Sequence, residues 1–517
     1  MEDRQQSPAI RRILVLGGGT AGLFAALSVK RHHPGMEVSI VKSPSIGIIG
    51  VGEGSTPDLP RFLHGFLGIS PEEFYREVKP SLKMGVKFIW GKQDYGYSFS
   101  SPLRQKFKNS GIPVGYACDV SIADIDWATS LMMQDKVFLP AKDGHGPELH
   151  PRFAYHMENG DFVTFLENHA VKVGVEMLEG DLAAVESAGE HVLALRLKDG
   201  RRLDADFFVD ASGFRAELIG SALKVPFVSY ADSLFCDRAV VGGWERSDEP
   251  ILPYTIAETM HAGWAWQIEH PARINRGYVY SSRFISDQEA ETEFREKNPK
   301  LGHVRVVPFT PGRRERQWVG NVFAVGNSAG FVEPLEATSL LCIAHECRNF
   351  VAALAVGEGR PGRSVRDCVD RSCTEMWDEI RDFLALHYRF NHRMDTPFWR
   401  HCWDKVELHG ASSATVFFME NGPNFFMEKQ LLNPLQNIFG LDGYWLHLLG
   451  MGVPFERKSR LTDQDRAAFD GVRRQWREVS AKGMGVAESL ACFHEPSWRW
   501  PAAFFSDSPS PPGAPER

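Results

Sequence analysis

Three glycines, Gly17, Gly19 and Gly22, form G-x-G-x-x-G directly after the apolar run Ile13 to Leu16 and at the mouth of a helical stretch, Leu23 to Val29. That context suits a dinucleotide: one glycine for the tight turn, one for close approach of a pyrophosphate, one for helix packing, with the helix N-terminus facing the anion. A glycine-rich turn with no ligand is the alternative reading of the same residues. The end of the next strand, where an acidic residue would hold a ribose hydroxyl, carries Lys42 instead, so the adenosine end must be held by other groups. A second glycine-rich segment, "GIIGVGEGSTP" (Gly47 to Pro57), would let backbone approach a ring or a phosphate, or serve only as a surface loop. One fingerprint implies a site for one dinucleotide, and a tightly held nicotinamide cofactor has no evident second site.

These residues need a scaffold. The opening reads strand, turn, helix, strand, with Val38 to Val41 as the second strand, a βαβ unit. Two more strand-to-turn edges, "DADFFVDASG" ending at Gly213 and "VGNVFAVGNSAGFVEPLE" (Val319 to Glu336), suggest one nucleotide-binding core interrupted by insertions. Phe227 to Ser286 is rich in β-branched and aromatic residues and predicts a second sheet. From about Ser364 the pattern turns helical and aromatic-rich. The predicted fold is therefore α/β, a Rossmann-type core with an added β-sheet and a C-terminal, mostly helical region. The expected division is 1–390 for the core with its inserted sheet, 391–504 for the helical cover and 505–517 for a disordered tail.

Composition narrows the function. Lys plus Arg number 58 against 66 Asp plus Glu, a net charge of −8, which argues against nucleic acid as a partner. No stretch approaches the roughly 18 uninterrupted apolar residues of a membrane span, and no apolar signal core follows Met1, so a cytoplasmic location without a membrane partner is expected. Cys342/Cys347 and Cys368/Cys373 are spaced by four residues, not the two common in zinc and redox pairs, so reduced cysteines and no metal site are expected.

Further along, "IGVGEGSTP", "LKMGVKF" (Leu82 to Phe88), "GWAWQI" (Gly263 to Ile268), "GYVYSS", "FVEPLEATS" (Phe331 to Ser339) and "DTPFW" (Asp395 to Trp399) occur in order with "GGGTAG". With these pieces the chain resembles the FAD-dependent halogenases of the tryptophan halogenase family. The resemblance implies that reduced FAD from a separate flavin reductase, oxygen, and chloride or bromide generate hypohalous acid, which travels through the protein to a lysine beside a small aromatic substrate. Lys83 matches that lysine; read locally, alternation with Leu82, Met84, Val86 and Phe88 places it on the face away from the apolar set, as a solvated strand lysine. Glu336 matches the family's glutamate, expected to orient the halogen species or stabilise a cationic arenium; locally, Pro334 makes it an early-turn acid of a helix. The halide is expected at Thr338 and Ser339, although the family usually has glycine at the latter. Trp264 and Trp266, at i and i+2 on a strand, are expected to wall off the flavin; two core tryptophans are the plain alternative. Along the cofactor the resemblance places Gly17, Gly19, Thr20, Ala21, Gly22, Lys42, Gly50, Gly52, Glu53, Leu182, Gly326, Asn327 and Leu340.

The substrate cover departs from the tryptophan-specific pattern. Phe425 and Phe426 stand where a tyrosine pair is usual, and Glu428 is left as the one group that could meet an amine. An apolar replacement admits an uncharged ring, so free indole or a similar electron-rich arene is the expected substrate. Two rival readings share the scaffold: a flavin-dependent aromatic hydroxylase, and a flavin-fold binding protein without turnover.

Overall fold

The computed structural model describes residues 9–47, 52–100, 103–104, 114–118, 122, 124–142, 144–433, 437–457, 461–501 and 504–505. Ile13 to Leu16 are all buried, as expected of a strand covered on both faces, and they sit within a six-stranded sheet. Its order is Glu176–Glu179, Glu37–Lys42, Arg12–Leu16, Phe207–Asp210, Val322–Ala324 and Trp318–Val319, with the first five parallel and the last antiparallel. The strand ends named from the sequence thus converge on one edge. The helix Thr20–His32 packs against Asn159–Lys172 and Ser339–Val356, and the latter packs in turn against Arg363–Phe390.

The second sheet is larger than its sequence signal. Seven strands run in the order Arg305–Pro308, Arg238–Glu245, Arg273–Tyr280, Gly263–Glu269, Tyr254–Met260, Gly85–Ile89 and Tyr95–Ser98. All neighbours are antiparallel except Tyr254–Met260 beside Gly85–Ile89, so a distant N-terminal hairpin completes the sheet begun by the predicted segment. Behind it lies Arg363–Phe390, which buries Trp377, Ile380, Phe383, Leu384 and His387 at helical spacing. Helices Pro397–Lys405, Ala411–Asn421, Gly440–Gly450, Asp463–Ser480 and Val486–Phe493 follow. Trp399, Trp445 and Leu448 share one hydrophobic cluster with Phe88, Trp90 and Trp264, so the helical cover is packed onto the second sheet.

One expectation changes, at the tail. Phe505, assigned to the tail, is buried, and its ring lies 4.6 Å from His64 and 5.2 Å from Trp500; large aromatics anchor the chain one residue further than composition suggested, and 506–517 lie outside the described residues. Ser339–Val356 is long and apolar enough to cross a membrane by composition, yet ten of its residues are buried against neighbouring helices.

Candidate active site

The first strand ends in a turn that only glycine can make. Gly17 has φ +122°, and a Cβ there would lie 2.1 Å from the Ala211 carbonyl oxygen; at Gly22 it would lie 1.9 Å from the Gly17 oxygen. Gly19 is different, with nothing within 4 Å of that position, and the helix starting at Thr20 has no side-chain cap. Its first N–H groups are therefore free to meet an anion. They open onto a cavity of about 580 Å³ lined by Gly17, Gly19, Thr20, Ala21, Lys42, Gly52, Glu53, Leu182, Asn327, Ser339 and Leu340. A long, largely apolar cleft with this cradle at one end fits a flavin dinucleotide. Lys42 is paired with Glu167, and Ser43 and Ser45 both donate to Asp181 on the same rim, so polar groups for the adenosine end do line the site. Gly22 and Gly326 act by packing: a Cβ at Gly326 would come 2.8 Å from that of Ala21. Gly50 lies outside the described residues.

Lys83 is not solvated. Strand Ser81–Lys83 pairs with Ala154–Met157, and the Lys83 side chain is wholly buried, its Nζ 5.5 Å from the Phe99 ring centre and without a hydrogen-bond partner. The alternation expected from Leu82 to Phe88 does not run through one strand: Ser81–Lys83 belongs to a three-stranded sheet and Gly85–Ile89 to the seven-stranded one, and all three residues of the shorter strand are buried. Burial lowers its pKa to about 7, against the pull of the Glu336 carboxylate. Gly54 lines the cofactor cavity, and a Cβ there would lie 3.7 Å from Lys83 Nζ, so one glycine separates the two sites.

Glu336 does not open a helix. Pro334–Glu336 is a single 3₁₀ turn closed by Ala337 at φ +53°, and the helix proper starts at Ser339. This reversal turns the carboxylate inward, where it is buried between two imidazoles: His387 Nε2 at 2.9 Å and His447 Nε2 at 3.3 Å, both from Oε1. Burial alone would raise its pKa, but the two histidines outweigh it and hold it at about 2. The three groups bring ligand-type atoms within 4.8 Å of one another from segments 51 and 60 residues apart in the chain, a cluster that sequence reasoning missed because each histidine lies on the buried face of a helix, far in the chain from its partners.

Trp266 lines the cofactor cavity, and Trp264 stands behind it, ring centres 6.0 Å apart. Trp264 donates to Glu333 Oε2 at 2.8 Å, an acceptor shared with the Tyr388 hydroxyl; burial raises Glu333 to about 7. Thr338 is buried at the start of an uncapped 18-residue helix, and Ser339 faces the cavity, so free N–H groups lie where a halide was expected.

The cover residues separate. Phe425 packs near Trp445 and under the Arg104 guanidinium, whereas Phe426 is 86% exposed and meets no aromatic ring among the described residues. Glu428 is already engaged: Arg104 reaches it at 2.8 Å and also holds Asp442. The expected amine-binding carboxylate therefore carries its own cation, supplied by Arg104, which no motif marks.

This arrangement can be compared with known proteins. MibH, a lanthipeptide tryptophan 5-halogenase, superposes with a TM-score of 0.86 at 35% identity, covering 95% of each chain. BrvH, a flavin-dependent halogenase from Brevundimonas sp. BAL3, gives 0.81 at 27% identity over 94% of this chain and 99% of that one. In sequence, tryptophan 6-halogenase ThaL of Streptomyces albogriseolus is 34% identical over 76% of this chain and 78% of its own. Tryptophan 7-halogenase RebH of Lentzea aerocolonigenes is 29% identical over 95% and 98%. The tryptophan halogenase family profile spans residues 12–466. A dinucleotide cradle, a buried lysine one glycine away and an ionised glutamate thus occur in a chain that belongs to the tryptophan halogenase family and is a flavin-dependent halogenase.

Proposed function

We propose that the enzyme halogenates the indole ring of an uncharged arene, with Lys83 directing the electrophile and Glu336 taking up the charge and proton of the substituted ring. Bound FAD, reduced by a separate reductase, would supply with oxygen and chloride or bromide the chemistry that makes hypohalous acid. Gly17, Gly19 and the first turn of Thr20–His32 would hold its pyrophosphate, Trp266 would shield it from the arene, and the N–H groups at Thr338 and Ser339 would hold the halide. The observation that carries this reading is the buried, unpartnered Lys83 amine beside Gly54. An ammonium without a partner is costly in such a place, which favours the neutral amine. Its lone pair can take the halogen from hypohalous acid, forming N–X and water. The ring then attacks the halogen and the N–X bond breaks with its electron pair left on nitrogen; Glu336 takes the ring proton, which restores aromaticity, and passes it to that nitrogen. Lys83 returns unchanged, and the sum is arene plus hypohalous acid giving haloarene plus water.

The Arg104–Glu428 pair supports an uncharged ring over a zwitterion, since a tryptophan ammonium would have to displace a guanidinium. A second reading has its own support: MibH, at 35% identity, is described as acting on tryptophan in a lanthipeptide, and Phe426 with Val416 and Met419 leaves apolar side chains exposed on the cover. In that reading the indole is carried on a peptide. The test is mass spectrometry of products from indole, free tryptophan and a tryptophan peptide, with FAD, a flavin reductase, NADH and bromide, beside Lys83→Ala. Bromoindole from the wild type and none from Lys83→Ala supports the proposal. Faster turnover of free tryptophan refutes the uncharged-ring reading, and a product heavier by one oxygen regardless of bromide hands the case to hydroxylation.

A further inference from the structure

We propose that Thr255 is a further catalytic residue, which holds hypohalous acid by its oxygen end on the way from the cofactor cavity to Lys83, with His156 as the positioning residue that anchors the Thr255 hydroxyl. The inference rests on the reading of Lys83 given above. Strand register sets the place. Gly54 and Ser81 are both register partners of His156 in the central strand Ala154–Met157, and Lys83 is the partner of Ala154. Side chains directly opposite in a ladder share a face, as do those two apart along a strand, so Lys83, His156 and the open side of Gly54 lie on one face of this three-stranded sheet. Thr255 reaches the same spot from strand Tyr254–Met260 of the seven-stranded sheet, where it pairs with Val86. A Cβ at Gly54 would lie 3.5 Å from His156 Cδ2, 3.6 Å from Thr255 Oγ1 and 3.7 Å from Lys83 Nζ. The glycine thus leaves room for a group of methyl or water size, edged by a hydroxyl and by the amine. Gly54 and Thr255 line the cofactor cavity, whereas Lys83 does not, so Thr255 supplies a hydroxyl that the cavity and this gap share.

Among the described residues the Thr255 hydroxyl meets one hydrogen-bond partner, His156, which is wholly buried and whose Nε2 lies 2.8 Å from Oγ1. Burial, and after it the neighbouring Lys83, keeps that imidazole neutral. A hydroxyl has one proton and two lone pairs, and the bond to His156 uses one of these whichever atom donates. If the imidazole donates, the Thr255 proton is left for the oxygen of hypohalous acid. If the hydroxyl donates, its lone pairs are left for the acid's own O–H. In both cases the oxygen end is held and the halogen end stays free for Lys83. The amine lone pair then attacks the halogen, the halogen–oxygen bond breaks with its electron pair on oxygen, and the amine proton joins that oxygen to make water, leaving N–X.

The test compares Thr255→Val, which keeps the shape and removes the hydroxyl, with Thr255→Ser, which keeps the hydroxyl. Each protein is loaded with stoichiometric reduced FAD and mixed with oxygen, bromide and indole, and bromoindole is counted per flavin oxidised; a parallel run with phenol red in place of indole counts hypobromous acid released to solution. Thr255→Val is expected to lose at least about tenfold in bromoindole per flavin, the worth of one hydrogen bond, and to brominate more phenol red than the wild type, while Thr255→Ser keeps at least about half the wild-type yield. The second readout needs no turnover: a crystal structure of the flavin-free protein is expected to hold a water on Thr255 Oγ1 beside Gly54 in the wild type and in Thr255→Ser, and none there in Thr255→Val. If Thr255→Val does not fold, Thr255→Ala takes its place with the same expectations. Full bromoindole yield in Thr255→Val, equal losses in Val and Ser, a loss without extra phenol red bromination, or no water on that hydroxyl in the wild type overturns the proposal. Lys83→Ala is run alongside: a full yield there refutes the role of Lys83, whereas a loss in Lys83→Ala with full yield in Thr255→Val refutes that of Thr255 alone.

Discussion

Replacing Lys83 by Met should stabilise the protein while abolishing halogenation, and the gain should depend on pH. Met keeps the length and apolar stem of the side chain and removes a buried amine that has no partner. An unsatisfied buried polar group costs about 1–3 kcal/mol, and Met recovers that amount whatever the charge. A further cost comes from ionisation. Burial brings the lysine down to about 7 in the folded protein, from its ordinary value of 10.5 in the unfolded chain. Between those values the unfolded chain binds the extra proton, so wild-type stability rises with pH, by about 1.4 kcal/mol per unit. Lys83→Met lacks this dependence. Its advantage is therefore largest at or below neutral pH and narrows by about 2 kcal/mol from pH 7.5 to 9. Guanidinium denaturation of both proteins at these two pH values measures the gap, with flavin-dependent bromination in parallel. A gap that stays constant with pH would show that Lys83 is protonated in the folded state, and the neutral-amine mechanism would fall with it.

Gly17→Ala should abolish FAD binding in a fluorescence titration, because its Cβ would meet a carbonyl oxygen at 2.1 Å in a backbone conformation reserved for glycine; micromolar binding would refute the cradle. Gly277→Ala should displace the Trp266 ring, which would lie 2.1 Å from the new Cβ, and lower FAD affinity about tenfold or more; unchanged affinity would remove Trp266 from the cofactor wall. Gly54→Ala makes only ordinary contacts of 3.5–3.7 Å with His156, Thr255 and Lys83, so the protein should fold and bind FAD normally. Its halogenation rate should fall about tenfold or more as the gap beside Lys83 fills, and a wild-type rate would place the route elsewhere. Arg104→Gln leaves Glu428 and Asp442 without their cation, so kcat/KM for tryptophan relative to indole should rise about tenfold; an unchanged ratio would separate this cluster from substrate choice.

The parts of the site legible in the sequence are those whose chemistry is local. Gly17, Gly19 and Gly22 suggest a turn, a close approach and a helix contact within six residues; the structure puts Gly17 in the turn and Gly22 against its carbonyl oxygen, and leaves Gly19 open. Lys83 shows the limit of periodicity: the alternation from Leu82 to Phe88 spans two strands of different sheets, and the burial of Lys83 depends on Ala154–Met157 and Phe99, which the order of residues does not predict. Glu336 was misplaced locally for a related reason. Pro334 can start either a helix or a single 3₁₀ turn, and the left-handed Ala337 decides between them. His387, His447 and Arg104 carried no signal at all, since a histidine on the buried face of a helix and a lone arginine in a loop acquire meaning only from partners far away in the chain.

Those distant partners also explain how a lysine and a glutamate can share a site without neutralising each other's chemistry. Had Glu336 been free, its carboxylate in a low-dielectric interior would have raised Lys83 and kept it an ammonium, unable to attack a halogen. Instead the carboxylate's attraction is taken up by two imidazoles, and burial decides the lysine, which falls to about 7 while Glu336 stays near 2. The environments thus pull the two groups in opposite directions at one pH, which suits the proposed division between a neutral amine that carries the halogen and an anion that receives the proton. The histidines stand one on the long helix behind the second sheet and one on the cover. This separation of tasks therefore requires both elements to be packed together, which is the physical reason for a helical region after residue 390 to share its hydrophobic cluster with the strands that hold Phe88 and Trp264.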